Sequence, residues 1–274
     1  MTRVVITGAN RGLGRALVQQ YVKRGAEVIG GCRNPAAADA LADTGAEVQA
    51  LDTGSSESIA AFAKEVGDRP IDVLINNAGI MRWARFPEVS EDDLERHLAV
   101  HVVGSFLTAR AAWPHMVEQG YGRIVMTASA GMLGLPSNTS YATAKGGVVG
   151  LTRSLNTAGR KHGITVNVIA PAAMTRMAGP QSDDDMGMAP DLVAPMVAFL
   201  AHEDCPVSGE IYTAGAGRFA RLFVASTPGW VQSNDRPTVE DVAEHWAAIN
   251  DESGYFVPTD LMDWSAAFTA HRDS

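Results

Sequence analysis

The stretch Tyr141-Ala142-Thr143-Ala144-Lys145 sets a phenol and an ammonium four residues apart, with only small side chains between them. On a helix that spacing puts both groups on one face. A free tyrosine titrates near ~10 and is a sluggish proton donor or acceptor at neutral pH. A neighbouring positive charge favours the phenolate, so the expected effect of Lys145 is to draw the Tyr141 pKa down toward the working range of an acid/base catalyst. The small residues between the two leave room for other molecules to approach.

A second stretch has a different chemistry. Thr7-Gly8-Ala9-Asn10-Arg11-Gly12-Leu13-Gly14 follows the short β-branched run Arg3–Thr7 and opens a segment of helical spacing, Leu13–Lys23. Glycines at such a place let the backbone turn sharply and come close to a pyrophosphate. The helix N-terminus adds free N–H groups and the positive end of a dipole. The spacing is Gly-x-x-x-Gly-x-Gly, not the commoner Gly-x-Gly-x-x-Gly. The seven histidines show no metal-ligand spacing of the His-Glu-x-x-His kind, which leaves a metal hydrolase without support.

These residues must be positioned by regular elements. Short apolar runs recur at Glu27–Gly31, Glu47–Leu51, Ile71–Ile75, Arg123–Thr127, Ile164–Ile169 and Glu210–Thr213. Each suits a buried parallel strand. Between them lie helical patterns at Leu13–Lys23, Ser55–Val66, Glu91–Met116, Tyr141–His162 and Asp191–Ala201. The alternation predicts an α/β fold of Rossmann type: a doubly wound parallel sheet of about seven strands with helices on both faces. Two regions break the rhythm. Ala170–Pro190 is rich in proline and methionine, carries Asp183-Asp184-Asp185, and is long for a connection, as disordered segments and functional lids both are. The tail after Gly217 carries an N-capped amphipathic helix at Thr238–Ile249 and the aromatics Trp230, Tyr255, Phe256, Trp264 and Phe268. The expected organisation is a dinucleotide-binding catalytic domain over 1–217, with a substrate lid at 172–190, and an extension over 218–274 that packs on that domain or on a partner subunit.

The chain has 274 residues, 46% apolar and 19% charged, which is a globular composition able to bury a core. Its net charge of −9, with no basic cluster, argues against nucleic acid and anionic membrane surfaces as partners. Cys32 and Cys205 make no disulfide framework, no signal peptide is recognised, and no apolar run is long enough to span a bilayer. The expected location is the cytoplasm.

Three motifs in order carry a family resemblance: the glycine loop Thr7–Gly14, Asn76-Asn77-Ala78-Gly79 after the fourth strand, and Tyr141-x-x-x-Lys145. Together they resemble the short-chain dehydrogenase/reductase family, over roughly the whole chain through Gly217. The resemblance implies hydride transfer between a nicotinamide dinucleotide and a carbonyl or alcohol. Tyr141 is then the general acid/base. Lys145 tunes it and holds the nicotinamide ribose. A serine at the end of the fifth strand binds the substrate oxygen. Anchored on that strand, Ser129 takes the serine's place, twelve positions before Tyr141 where the family usually has thirteen. Counting back from Tyr141 lands on Ala128, and Ser140 is a weaker rival. His101-Val102-Val103-Gly104 stands where many members carry Asn-x-x-Gly, so His101 is a candidate for the proton relay, or else a helix histidine bonded to backbone.

The same resemblance places Gly8, Asn10, Arg11, Gly12, Leu13, Gly14, Asn77, Ala78 and Gly79 against the cofactor, with Tyr141 and Lys145. Asp52 resembles the adenine-contacting acid, Pro171 matches the family's proline after the sixth strand, and Thr175 stands near its nicotinamide-contacting threonine. The second strand ends Cys32-Arg33, without the acid that NAD-preferring members use, and Arg33 suits a 2′-phosphate. NADP(H) is expected, with NAD(H) the alternative. The segment Val100–Thr127 and several shorter ones are similar to one subgroup, the (3R)-hydroxyacyl-CoA dehydrogenase unit of peroxisomal multifunctional β-oxidation enzymes and its bacterial relatives. That resemblance points to 3-ketoacyl or 3-hydroxyacyl thioesters. Other ketones, steroid or xenobiotic, and a non-catalytic nucleotide sensor are the alternatives. A homodimer or homotetramer is expected, paired through the long helices Glu91–Met116 and Tyr141–His162.

Overall fold

The computed structural model describes residues 1–173, 187–232 and 236–272. The chain divides into two compact units, Met1–Arg221 and Leu222–Ser274. The first holds a sheet whose strands are β1 Arg3–Thr7, β2 Glu27–Cys32, β3 Glu47–Ala50, β4 Val73–Asn76, β5 Gly122–Thr127, β6 Ile164–Pro171, β7 Ile211–Gly215 and β8 Arg218–Leu222. Their order is β3-β2-β1-β4-β5-β6-β7-β8. All pairings from β3 through β7 are parallel, with Val5 opposite Ile29 on one side and Leu74 on the other. The chain winds outward from β1 in one direction through β3 and then in the other from β4. This makes the switch point between β1 and β4 the natural place for a ligand.

The helices are α1 Gly12–Lys23, α2 Ser56–Val66, α3 Glu91–Leu98, α4 Gly104–Gln119, α5 Thr139–Gly159 and α6 Ala194–Leu200. Alternate strand residues point to opposite faces, and both faces are apolar. Val4, Ile6, Val73, Ile75 and Val125 pack with Leu17 of α1 and Val197 of α6. Val5 and Leu74, on the other face, meet Ile59 and Phe62 of α2 and Ala112 of α4. Burying each such large side chain contributes about 1.5–3 kcal/mol.

Three elements differ from the sequence expectation. An eighth strand is present: the two residues Ala216-Gly217, both at positive φ, turn the chain back into β8. Two residues cannot carry a crossover, so β8 runs antiparallel to β7. Its Arg221 pairs with Glu210 at 2.7 Å. The helix expected over Glu91–Met116 is interrupted, because the backbone widens to a π turn at Ala99–Val103 between α3 and α4. A slip of one hydrogen bond leaves no mark in hydrophobic periodicity. In the second unit, the helix expected over Thr238–Ile249 is two short ones, α7 Val239–Glu244 and α8 Trp246–Ile249, and a further helix, α9 Leu261–Thr269, follows. Within this unit Trp230 stacks on His245 at 3.9 Å between centroids, Phe223 on Tyr255, and Trp264 on Phe268.

Candidate active site

The glycine loop follows β1 and turns through Gly8 at φ +69° and Gly12 at φ +51°. A Cβ on Gly8 would stand 2.8 Å from the Ala78 Cα, so only glycine fits there. α1 begins with no side-chain cap and no acidic residue in its first turn. Its open N–H groups and dipole suit an anionic diphosphate, so the residues present fit a dinucleotide. Leu13 and Gly14 are buried against the sheet, Asn10 is half-buried and Arg11 is exposed.

Asn76, Asn77 and Ala78 brace this loop. The Thr7 hydroxyl accepts from the Asn77 and Ala78 N–H groups at 3.0 and 2.9 Å. The Asn77 amide donates to the Thr7 and Gly8 carbonyls at 2.9 and 3.2 Å. Its side chain is therefore engaged by protein backbone. Buried Asn76 accepts from Thr108 of α4 at 2.6 Å, tying the end of β4 to that helix. Gly79 and Ile80 carry the chain from there toward α3.

The expected acid/base residues come together at the ends of β5 and α5. Tyr141 lies in the first turn of α5 and is 5% exposed. Lys145, one turn on, is buried, donates to the Thr127 carbonyl at 2.7 Å, and holds its nitrogen 5.5 Å from the Tyr141 ring centroid. The Ser129 hydroxyl is near enough to Tyr141 to draw its pKa down, and its own Oγ accepts from the Gly131 N–H at 3.0 Å. Of the three positions weighed for the serine, Ala128 has no hydroxyl and Ser140 is engaged by His97 at 3.0 Å. The electrostatics reverse one expectation. Burial raises the Tyr141 pKa above its usual value, with only the Ser129 hydroxyl drawing it down. Burial also lowers Lys145 to about 7, so the ammonium that was to stabilise the phenolate is itself destabilised.

His101 sits in the π turn, buried, with Nε2 2.9 Å from the Ile80 carbonyl. Its Nδ1 is buried without a partner among the described residues. Its ring meets Tyr141 edge-on at 5.4 Å. Burial and the Lys145 charge push its pKa well down, so it is neutral at pH 7. His97, which no motif singled out, joins the same cluster at 5.7 Å from Tyr141. The only signal for it in the sequence is its place four residues before His101 on one helix face.

Cys32 is buried at the end of β2, whereas Arg33 is exposed and makes no hydrogen bond or ion pair to the described residues. Asp52 is exposed and its Oδ1 accepts from the Gly54 N–H at 2.9 Å. Pro171 ends β6 opposite Ala214. Thr175 and most of the expected lid lie outside the described residues.

The profile of the family described as short chain dehydrogenase matches residues 2–185. The chain is 36% identical to the peroxisomal multifunctional enzyme type 2 of Mus musculus over 95% of its own length, and spans 38% of that enzyme. It is 31% identical to a 3-oxoacyl-[acyl-carrier-protein] reductase of Vibrio harveyi, over 78% of this chain and 96% of the relative. The solved full-length peroxisomal multifunctional enzyme type 2 of Drosophila melanogaster superposes with a TM-score of 0.83 at 30% identity, covering 99% of this chain and 49% of that one. The chain thus spans less than half the length of these two multifunctional enzymes.

Proposed function

This chain belongs to the short-chain dehydrogenase family, and from that premise we propose that it reduces the ketone of a 3-ketoacyl thioester to a secondary alcohol, or runs the reverse. The observation that carries this reading is the meeting of Ser129, Tyr141 and Lys145 at the ends of β5 and α5. A nicotinamide dinucleotide, when bound, supplies or accepts the hydride. The Ser129 and Tyr141 hydroxyls donate to the substrate oxygen, and Tyr141 gives up its proton as the carbonyl becomes a hydroxyl. A raised phenol pKa keeps Tyr141 protonated at neutral pH, which suits the reducing direction. Lys145, near pKa 7, stands ready to return the proton, and the unpartnered Nδ1 of His101 is the candidate for a relay beyond it. The thioester substrate is supported by the names of the relatives and by the segments quoted above. Other ketones are the alternative.

The glycine loop, with Ala78 and Gly79 beside it, holds the diphosphate in this reading. Pro171 flanks the nicotinamide end and Asp52 the adenine. The exposed Arg33, with no acid at the end of β2, supports NADP(H) over NAD(H). Half-exposed Val103 at the end of the π turn and Phe106 on α4, and Gly146 and Gly150 of α5 with open space above them, support pairing of subunits through these helices. Cys32 and Cys205, both free and buried, are compatible with a cytoplasmic setting. No described helix is long and apolar enough to cross a membrane.

The test is oxidation of NADPH, and separately NADH, with a short 3-ketoacyl-CoA as substrate. Turnover is expected with NADPH. Tyr141→Phe is expected to lose at least about 1,000-fold in kcat while still binding NADPH. Full activity in that variant rejects the mechanism, and tighter binding of NADH than NADPH rejects the role of Arg33.

A further inference from the structure

We propose that His97 is a positioning residue for Tyr141, locking the phenol through Ser140 and through edge-on ring contact. The proposal rests on the reading that Tyr141 exchanges the proton. His97 is at the end of α3 and fully buried. A buried imidazole is costly unless both nitrogens are satisfied, and here both are. The Arg82 backbone N–H points at Nε2 from 3.2 Å. A backbone N–H can only donate, so Nε2 must present its lone pair. In the neutral ring Nδ1 then carries the hydrogen and donates to the Ser140 Oγ at 3.0 Å. Burial holds His97 below the usual histidine range, which keeps it in this neutral form. The charged groups around it are Asp93, Arg82 and Lys145.

This one ring therefore ties the loop after β4 to Ser140, the residue directly before Tyr141. It also meets the Tyr141 ring at 76°, while His101 meets it at 86°. The two imidazoles are nearly parallel, 18° apart with centroids 6.0 Å from each other. The phenol is thus confined by two fixed rings on the side facing α3 and the π turn. Displacing a reacting group by about 1 Å can cost ~100-fold in rate, so a fixed phenol has a kinetic consequence.

The test compares His97→Leu, which removes both bonds, with His97→Asn, whose amide N–H can replace Nδ1–H toward Ser140. In His97→Leu, kcat on the carbonyl substrate is expected to fall about 10- to 100-fold with the KM for NADPH within about twofold. His97→Asn is expected to recover kcat to within about threefold of the parent, and Ser140→Ala added to His97→Leu is expected to cost little more. An independent readout is the ultraviolet titration of Tyr141, isolated by subtracting the same protein carrying Tyr141→Phe. His97→Leu should move it and His97→Asn should restore it. An unmoved titration with kcat within about twofold overturns the proposal, as does a rise in the NADPH KM that His97→Asn fails to correct. Should Tyr141→Phe alone remain active, the proton-transfer reading falls, while the titration still decides whether His97 sets the phenol.

Discussion

Lys145 buries its amine against the Thr127 carbonyl, and its lowered pKa is a statement about stability as well as chemistry. Between about 7 in the folded chain and the ordinary lysine value of 10.5, the unfolded chain binds a proton that the folded chain does not. Stability therefore rises with pH across that window, and the full burial cost is felt below it. A shift of this size corresponds to about 5 kcal/mol, offset in a variant by the loss of the Thr127 bond at about 1 kcal/mol. Lys145→Met is expected to raise the melting temperature by several degrees at pH 6, with the gain shrinking toward pH 10. Differential scanning calorimetry across that range checks it, and a gain that grows with pH contradicts the burial account. The same variant should be catalytically impaired, since the proposed mechanism has Lys145 return the proton.

The glycine loop and α1 work as one element because Gly14 allows them to touch. A Cβ there would lie 2.1 Å from the Gly8 carbonyl oxygen and 2.7 Å from the Asn77 amide nitrogen. Neither can retreat easily: the oxygen is backbone, and the amide is bonded to Thr7 and Gly8. Gly14→Ala is expected to cost about 1–3 kcal/mol in urea unfolding. It should also weaken NADPH binding at least about tenfold by fluorescence titration, since the cradle must open to admit the methyl group. Unchanged affinity in a destabilised variant means that the loop is not the phosphate cradle. The π turn acts similarly at the other end of the site. It puts His101 beside Tyr141 within a stretch whose sequence reads as uninterrupted helix.

At the scale of the molecule the two units differ in how they are built. Met1–Arg221 encloses a large core on both sheet faces. Among the described residues of Leu222–Ser274 none is buried, and Trp246, Leu261, Met262 and Phe268 are each at least 59% exposed. So short a unit, with so little core, gains little stability from its own packing. Together with exposed Val103 in the π turn and Phe106 on α4, this favours an assembly of copies. Light scattering is expected to give a dimer or tetramer, and Phe106→Glu to shift it toward monomer. A monomeric parent protein would reject the assembly outright.

Much of this was legible in the sequence. Alternating apolar runs determined the doubly wound sheet, because buried parallel strands and amphipathic helices impose their periods locally. The glycine spacing determined the tight turn after β1, and the spacing of Tyr141 and Lys145 determined that they share a helix face. Tertiary structure alone decided which serine meets the phenol, for Ser129 and Ser140 differ only in what folds against them. It alone brought His97 to Ser140, 43 residues away in the chain. It also reversed the expected direction of the Tyr141 shift. Spacing along a helix reports which charges are neighbours, but the cost of removing a group from water depends on everything packed around it, and that is known only once the chain has folded.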